Sequence, residues 1–292
     1  MQTQGRHAMT NSSQNSTKCS TGGGALSCPP LKTHPSSFAD VLQLLGAEGV
    51  DLTAASQIPM VLRRVHAGES LAHEGTPADA LFFVCAGTFK IFRTNEDGYE
   101  QVLAFAIRGE VLGFDALCMD SYPTAVSALE ESSVYVVLKR DVFALSQLIP
   151  SFGVALQRAG SMTLTRSREL VELLAAVASE VKLARFLIQL SRRMAGCGQS
   201  PRRFHLRMGR REIASLLGVA HETVSRAFSA LAAMGMVDVS DREVEILDMD
   251  GLKNFARSTR RHLNESSESR MPRPMVQRSD SGRRTMARSL AA

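Results

Sequence analysis

Tryptophan is absent from the 292-residue chain and only 5% of its residues are aromatic, so its cores have to be built mainly from aliphatic side chains. Long apolar runs are missing too: the longest, 80–87 and 170–178, fall well short of the roughly 18 to 20 residues that span a bilayer. That excludes a membrane-spanning helix. The amino-terminal stretch MQTQGRHAMTNSSQNSTK has no basic-then-apolar layout of a secretory signal, so a cytoplasmic protein is expected. Its five cysteines, an odd number spread along the chain, then read as thiols or ligands rather than as a disulfide framework. No glycine-rich phosphate loop, H-E-x-x-H run or nucleophile elbow occurs, which removes the commonest signatures of catalysis. The net charge of +5 is a modest excess, so an anionic partner must be met by locally clustered Lys and Arg.

What is present fits about two ordinary domains. Residues 1–37 and 262–292 are rich in small polar residues and are expected to be disordered, the second as a basic tail. From Leu62 to Arg140, short apolar runs such as ALFFVCAG, TFKIFRT and SSVYVVL recur roughly every 8 to 12 residues, the pattern of an antiparallel sandwich or barrel. Glu96, Asp97 and Gly98 supply a hairpin turn. The fold class expected is α+β: a β-barrel of the double-stranded β-helix kind over 38–145, a long helix over 146–178 and a helical domain over 179–261. After Pro150 an uncharged stripe at helical spacing, Phe152, Leu156, Gly160, Leu164, Ser167 and Val171, reads either as packing on its own barrel or as a dimer interface, with Gly160 and Ser167 allowing close approach.

The most informative stretch is 204–249. Arg210 to Leu217 has the pattern of a short helix, Gly218 sits where the chain must turn, and His221 to Met234 has the pattern of a second helix. The second buries Val224, Ala227, Phe228 and Leu231 and leaves Glu222, Thr223, Ser225 and Arg226 outward at its amino-terminal end, the end that enters a major groove. MVDVSD followed by EVEILD then reads as a two-stranded wing. Double-stranded DNA is the expected partner. Arg226 can donate its fork to guanine O6 and N7, Glu222 can accept from a cytosine amine, and Ser225 can serve a base or a phosphate. Arg203, Arg210, Arg211 and Thr223 are expected on the phosphate backbone.

These residues resemble the CRP/FNR superfamily of bacterial transcription regulators over Leu62 to Arg261, and most closely its FNR-like (fumarate and nitrate reduction) branch. The resemblance is carried by VLGFDAL at 111–117, LIQLSRRM at 187–194 and GRREIASLLGVAHETVSR at 209–226. It implies a homodimer, a TTGAT-N4-ATCAA-like palindrome, and an activator that touches RNA polymerase, for which the loop Met119 to Tyr122 is the expected surface. In the cyclic-AMP receptor branch a Gly stands where this chain has Ser225, so that branch's site is not expected here.

The resemblance also frames the sensor. Family members that bind cyclic AMP hold its phosphate with an Arg-Ser pair, but here Pro123 and Thr124 fall near those places and no arginine lies between Arg108 and Arg140. Cyclic AMP is therefore not expected. The FNR branch holds a [4Fe-4S] cluster on four thiolates. Cys19 and Cys28 keep the spacing of the outer amino-terminal pair, while Gly22 stands at the middle position and Tyr135 near that of the barrel cysteine. The set is incomplete, with Cys118 as a possible replacement. No cofactor is expected, and thiol chemistry at Cys19, Cys28 and Cys118 stays open beside it. The competing class is a cupin-like metalloenzyme, which needs imidazoles converging inside the barrel; the barrel stretch offers only His66 and His73.

Overall fold

The computed structural model describes residues 36–47 and 52–257. Cys19, Cys28, nearly all of the amino-terminal segment and the basic tail lie outside the described residues. Helices α1 (Phe38–Leu44) and α2 (Leu52–Ser56) precede eight strands: β1 (Val61–Val65), β2 (Ser70–Ala72), β3 (Ala80–Ala86), β4 (Phe89–Thr94), β5 (Glu100–Ala106), β6 (Val111–Leu112), β7 (Ala125–Ala128) and β8 (Ser132–Leu138). They form two antiparallel four-stranded sheets, ordered β1-β8-β3-β6 and β2-β7-β4-β5. The expected barrel is thus two facing sheets of jelly-roll type rather than a closed cylinder. The edge strands β2 and β6, three and two residues long, are too short to carry the hydrogen bonds round from one sheet to the other.

Strand periodicity places two cores. Phe82 and Val84 of β3 meet Phe89, Val126 and Leu71 between the sheets. Leu81 and Phe83, one residue out of phase, join a second core with Phe38, Leu42, Val137 and Phe152. That second core receives α3 (Lys139–Leu148) and the start of the long helix α4 (Pro150–Leu174).

α4 corrects the stripe read from its sequence. Phe152 is fully buried, 4.8 Å from the ring centroid of Phe38 and 6.1 Å from that of Phe83. Leu156 is buried in the same core. Gly160 lies against Phe114, where a Cβ would fall 2.4 Å from the ring. These three residues are occupied within their own protomer, so they do not form a free interface. Leu164, Ser167 and Val171 stay exposed. The solvent-facing seam is Val154, Gln157, Ser161, Leu164, Arg168 and Val171, spaced alternately three and four residues apart as in a coiled coil. It includes Arg168, so it is not free of charge.

α4 ends at Leu174, Ala178 is extended, and α5 (Ser179–Gly196) begins a separate domain. That domain continues through β9 (Arg203–His205), α6 (Arg210–Leu217), α7 (His221–Ala233), β10 (Val237–Ser240), β11 (Glu243–Ile246) and α8 (Met249–Arg257). Leu183, Phe186, Leu187 and Leu190 of α5 are buried in its core, which also takes in Val102, Phe105 and Ile107 at β5 and just after it. The two domains therefore share one apolar cluster. Ser215 of α6 staples it: its hydroxyl accepts from the Val102 N–H at 2.9 Å and donates to the Glu100 carbonyl at 2.9 Å.

Candidate nucleic-acid interface

α6 and α7 meet at Gly218, whose φ of +63° places it in the left-handed region that closes the first helix without a side-chain penalty. Val219 packs into the corner. Along α7 the i, i+3, i+4 rule separates two faces. Val224, Ala227, Phe228 and Leu231 are buried, while Glu222, Ser225 and Arg226 are exposed together on the opposite side. All three expected base readers thus share one face of the first two turns. Arg226 Nη2 donates to Thr223 Oγ1 at 3.3 Å, which holds the guanidinium along the helix without burying it. Glu222 lies 3.2 Å from His221 Nδ1. No side chain caps α7, so its first amides remain open toward the solvent side.

The wing is larger than the sequence suggests. β10 pairs with β11, and β11 pairs on its other edge with β9, giving a three-stranded sheet ordered β10-β11-β9. A strand ahead of the first helix fits the sequence pattern, but its pairing with β11 does not show there, because three residues are too few to show a period. Asp241 and Arg242 form the turn between β10 and β11, Asp241 with φ +54°. Arg242 is exposed at that tip, and Ser229 continues the exposed face of α7 one turn beyond Ser225. The two-residue gap between alternating strands was the signal that could have singled out Arg242.

The arginines expected on phosphates have different fates. Arg203 and Arg211 are exposed. Arg210 is half-buried: its guanidinium carbon lies 3.6 Å from the Phe228 ring centroid, and Nη2 reaches the Asp241 carbonyl at 3.5 Å. Burial pulls its pKa down, and Asp241 opposes that shift. Arg210 therefore braces α6, α7 and the wing turn rather than standing free for a phosphate. Arg210→Ala is expected to lower the melting temperature by a few degrees, from a cation–π contact of roughly 0.5 to 2 kcal/mol. A plain phosphate contact would instead leave melting unchanged and reduce the salt slope of DNA binding by about one.

In the β-domain, Thr124 Oγ1 lies 3.5 Å from the carboxylate of Asp115, so the loop offers an acid where a phosphate would need a cation. Near the expected place of the barrel cysteine, Tyr135 is buried and its phenol pKa is raised, first by burial and then by the Cys85 thiol. A buried neutral phenol there does not fit a cluster that asks for thiolate. Cys118 is exposed and Cys85 half-buried. Burial pushes the Cys197 thiol up, with Glu110 adding to the shift and Arg193 opposing it. Of the loop expected to be exposed, Met119 and Asp120 are, but Tyr122 is buried with its hydroxyl donating to the Ala80 carbonyl at 2.7 Å. His66 pairs with Glu131 at 3.0 Å on the surface and His73 is exposed. The two imidazoles do not converge in the interior, which removes the geometry a cupin-like metalloenzyme needs.

Residues 181–255 match the family of Crp-like helix-turn-helix domains, and residues 62–147 match that of cyclic nucleotide-binding domains. The transcriptional regulatory protein btr of Bordetella pertussis is 36% identical over 66% of this chain and 79% of its own. The fumarate and nitrate reduction regulatory protein of Escherichia coli is 32% identical over 67% of this chain and 78% of its own. Among solved structures, that of FixK2 from Bradyrhizobium japonicum superposes with a TM-score of 0.62 at 25% identity, covering 69% of this chain and all of that one.

Proposed function

The chain belongs to the CRP/FNR family of transcription regulators, and from that membership we propose that it is a cytoplasmic homodimeric activator reading a TTGAT-N4-ATCAA-like palindrome. Its relatives and fold neighbours are regulators, and it is not an enzyme. The observation that carries the reading is the joint exposure of Glu222, Ser225 and Arg226 on the face of α7 opposite its buried stripe. An acid, a hydroxyl and a guanidinium at that spacing suit a G·C pair flanked by A·T. Arg203, Arg211 and Thr223, with Arg242 at the wing tip, supply backbone contacts that set the register.

Dimerisation is assigned to the exposed seam of α4, centred on Leu164 and Val171, with Ser167 at its flank. Packing of the seam about a two-fold axis would set two α7 helices on successive major grooves. The test is titration of the wild type and of Leu164→Glu/Val171→Glu against the palindrome. Wild type should sediment as a dimer at micromolar concentration and prefer TTGAT half-sites by about 1 to 3 kcal/mol per mismatched pair. The double variant should sediment as a folded monomer and lose most of its affinity. Equal binding of TTGAT and unrelated palindromes defeats the specificity, and a dimeric double variant defeats the seam.

The sensory sheets are read as working without cyclic AMP and without an iron–sulfur cluster. Asp115 beside Thr124 and the buried phenol of Tyr135 support this. The exposed stretch at Met119 and Asp120 is the surface proposed for RNA polymerase.

A further inference from the structure

Between the end of α1, the turn that joins β5 to β6, and the facing sides of α4 and α5 lies a cleft of about 530 Å³. Five guanidinia line it: Arg108 from the turn, Arg158 and Arg166 from α4, Arg192 and Arg193 from α5. Only Glu110 and Glu169 oppose them among the described lining residues. Glu110, 9% exposed, is shared, with Arg166 at 3.1 Å and Arg193 at 3.0 Å. Arg108 donates to the Cys85 carbonyl at 2.7 Å, an interaction that leaves its charge unneutralised. Arg158 and Arg192 are exposed and have no ion-pair partner among the described residues. Leu44, Ala159 and Met162 supply an apolar part of the wall, and Thr165 and Gln189 add neutral polar groups.

Such a cleft concentrates positive potential between low-dielectric walls, which favours a multiply charged anion. Burial lowers the Arg166 pKa, Glu110 opposes that shift, and the neighbouring Arg193 charge adds to it. We propose that the cleft binds a small phosphorylated metabolite carrying at least two negative charges, its phosphates held chiefly by Arg158 and Arg192 and its less polar part resting on Met162 and Ala159. Free guanidinia suit this role because phosphate accepts their paired N–H donors. A duplex is the poorer occupant, since the cleft is concave, bounded by four segments of chain and in part apolar. Ala159, Met162 and Arg166, which border it, lie round the helix from the Leu164–Val171 seam, with Arg158 at the boundary between the two faces. A bound anion would compete with Glu110 for Arg166 and Arg193, and so bear on the contact between the two domains.

Isothermal titration of the full chain with pyrophosphate, and separately with adenosine diphosphate and inorganic phosphate, tests the assignment. Pyrophosphate and the nucleotide should bind once per chain, and inorganic phosphate more weakly. Arg158→Ala/Arg192→Ala should weaken pyrophosphate by about tenfold or more, having lost two charge-assisted contacts. Met162→Glu, which keeps every arginine but adds an opposing charge, should weaken it as well, while Arg93→Ala on the far sheet should not. If inorganic phosphate binds as well as the others, the site takes phosphate alone and the metabolite reading is overturned. No binding to the wild type, or full binding to the double variant, overturns the site itself. A double variant that loses DNA affinity in the absence of any small anion, when the wild type binds no pyrophosphate, assigns the arginines to DNA instead. The titrations stand apart from the palindrome proposal, because they read the cleft without any DNA present.

Discussion

Arg226→Ala is expected to cost about 1 to 3 kcal/mol of affinity for a TTGAT half-site, roughly 5- to 150-fold, and to abolish the preference for guanine at the position it reads. The side chain is exposed on α7, and its hydrogen bond in the protein is to Thr223, so its removal leaves no buried group unsatisfied and the fold intact. The loss should appear in binding alone, with melting unchanged. Arg226→Lys separates the two roles the residue could have. Lysine keeps the charge but cannot present a planar fork to O6 and N7. If Arg226 reads a base, the lysine variant keeps its affinity for unrelated DNA and loses discrimination. If Arg226 clamps a phosphate, lysine restores most of the affinity on every sequence. Filter or fluorescence titrations on the palindrome and on its guanine-substituted versions, at two salt concentrations, distinguish these outcomes.

Phe152→Ala should be the most damaging substitution in the sensory half, at about 3 to 5 kcal/mol. The ring is fully buried and edge-on to Phe38, and it also touches Phe83, so its removal opens a cavity at the point where α4 leaves the sheet. Against a whole-protein stability of about 5 to 15 kcal/mol, that is a large share. Thermal or urea unfolding should show it directly. Val154, two residues on, is 66% exposed on the seam. Val154→Ala should therefore leave monomer stability within about 0.5 kcal/mol, and any effect should fall on dimerisation. If Phe152 faced a partner subunit instead, Phe152→Ala would dissociate the dimer and spare the stability of the monomer. Unfolding and sedimentation of the two variants side by side give opposite patterns for the two cases.

The contrast between these residues shows which parts were legible. The two helices around Gly218 could be read from the chain, because the turn glycine and both apolar stripes are local and fall within one short window. The strand pattern likewise announced an antiparallel β-domain, since alternation is a property of neighbouring residues. The α4 stripe was misread because two stripes run along it. One binds its own sheet and the other faces solvent, and residue type alone does not say which is which. The packing of Arg210 was hidden for a similar reason: an arginine beside a helix-turn-helix has the same composition whether or not it meets the ring of Phe228.

Sequence alone therefore determined the class of the protein, the helix-turn-helix and the three side chains that face outward from its second helix, since each depends on spacings of three or four residues. Only the tertiary structure decided which face of α4 is free, that β9 completes the wing, that Ser215 fastens α6 to β5, and that five arginines from three segments of chain surround one cleft. Those facts rest on contacts between residues far apart along the chain. Such contacts are settled by how apolar faces pack and charges pair once the elements meet, and no local period records them.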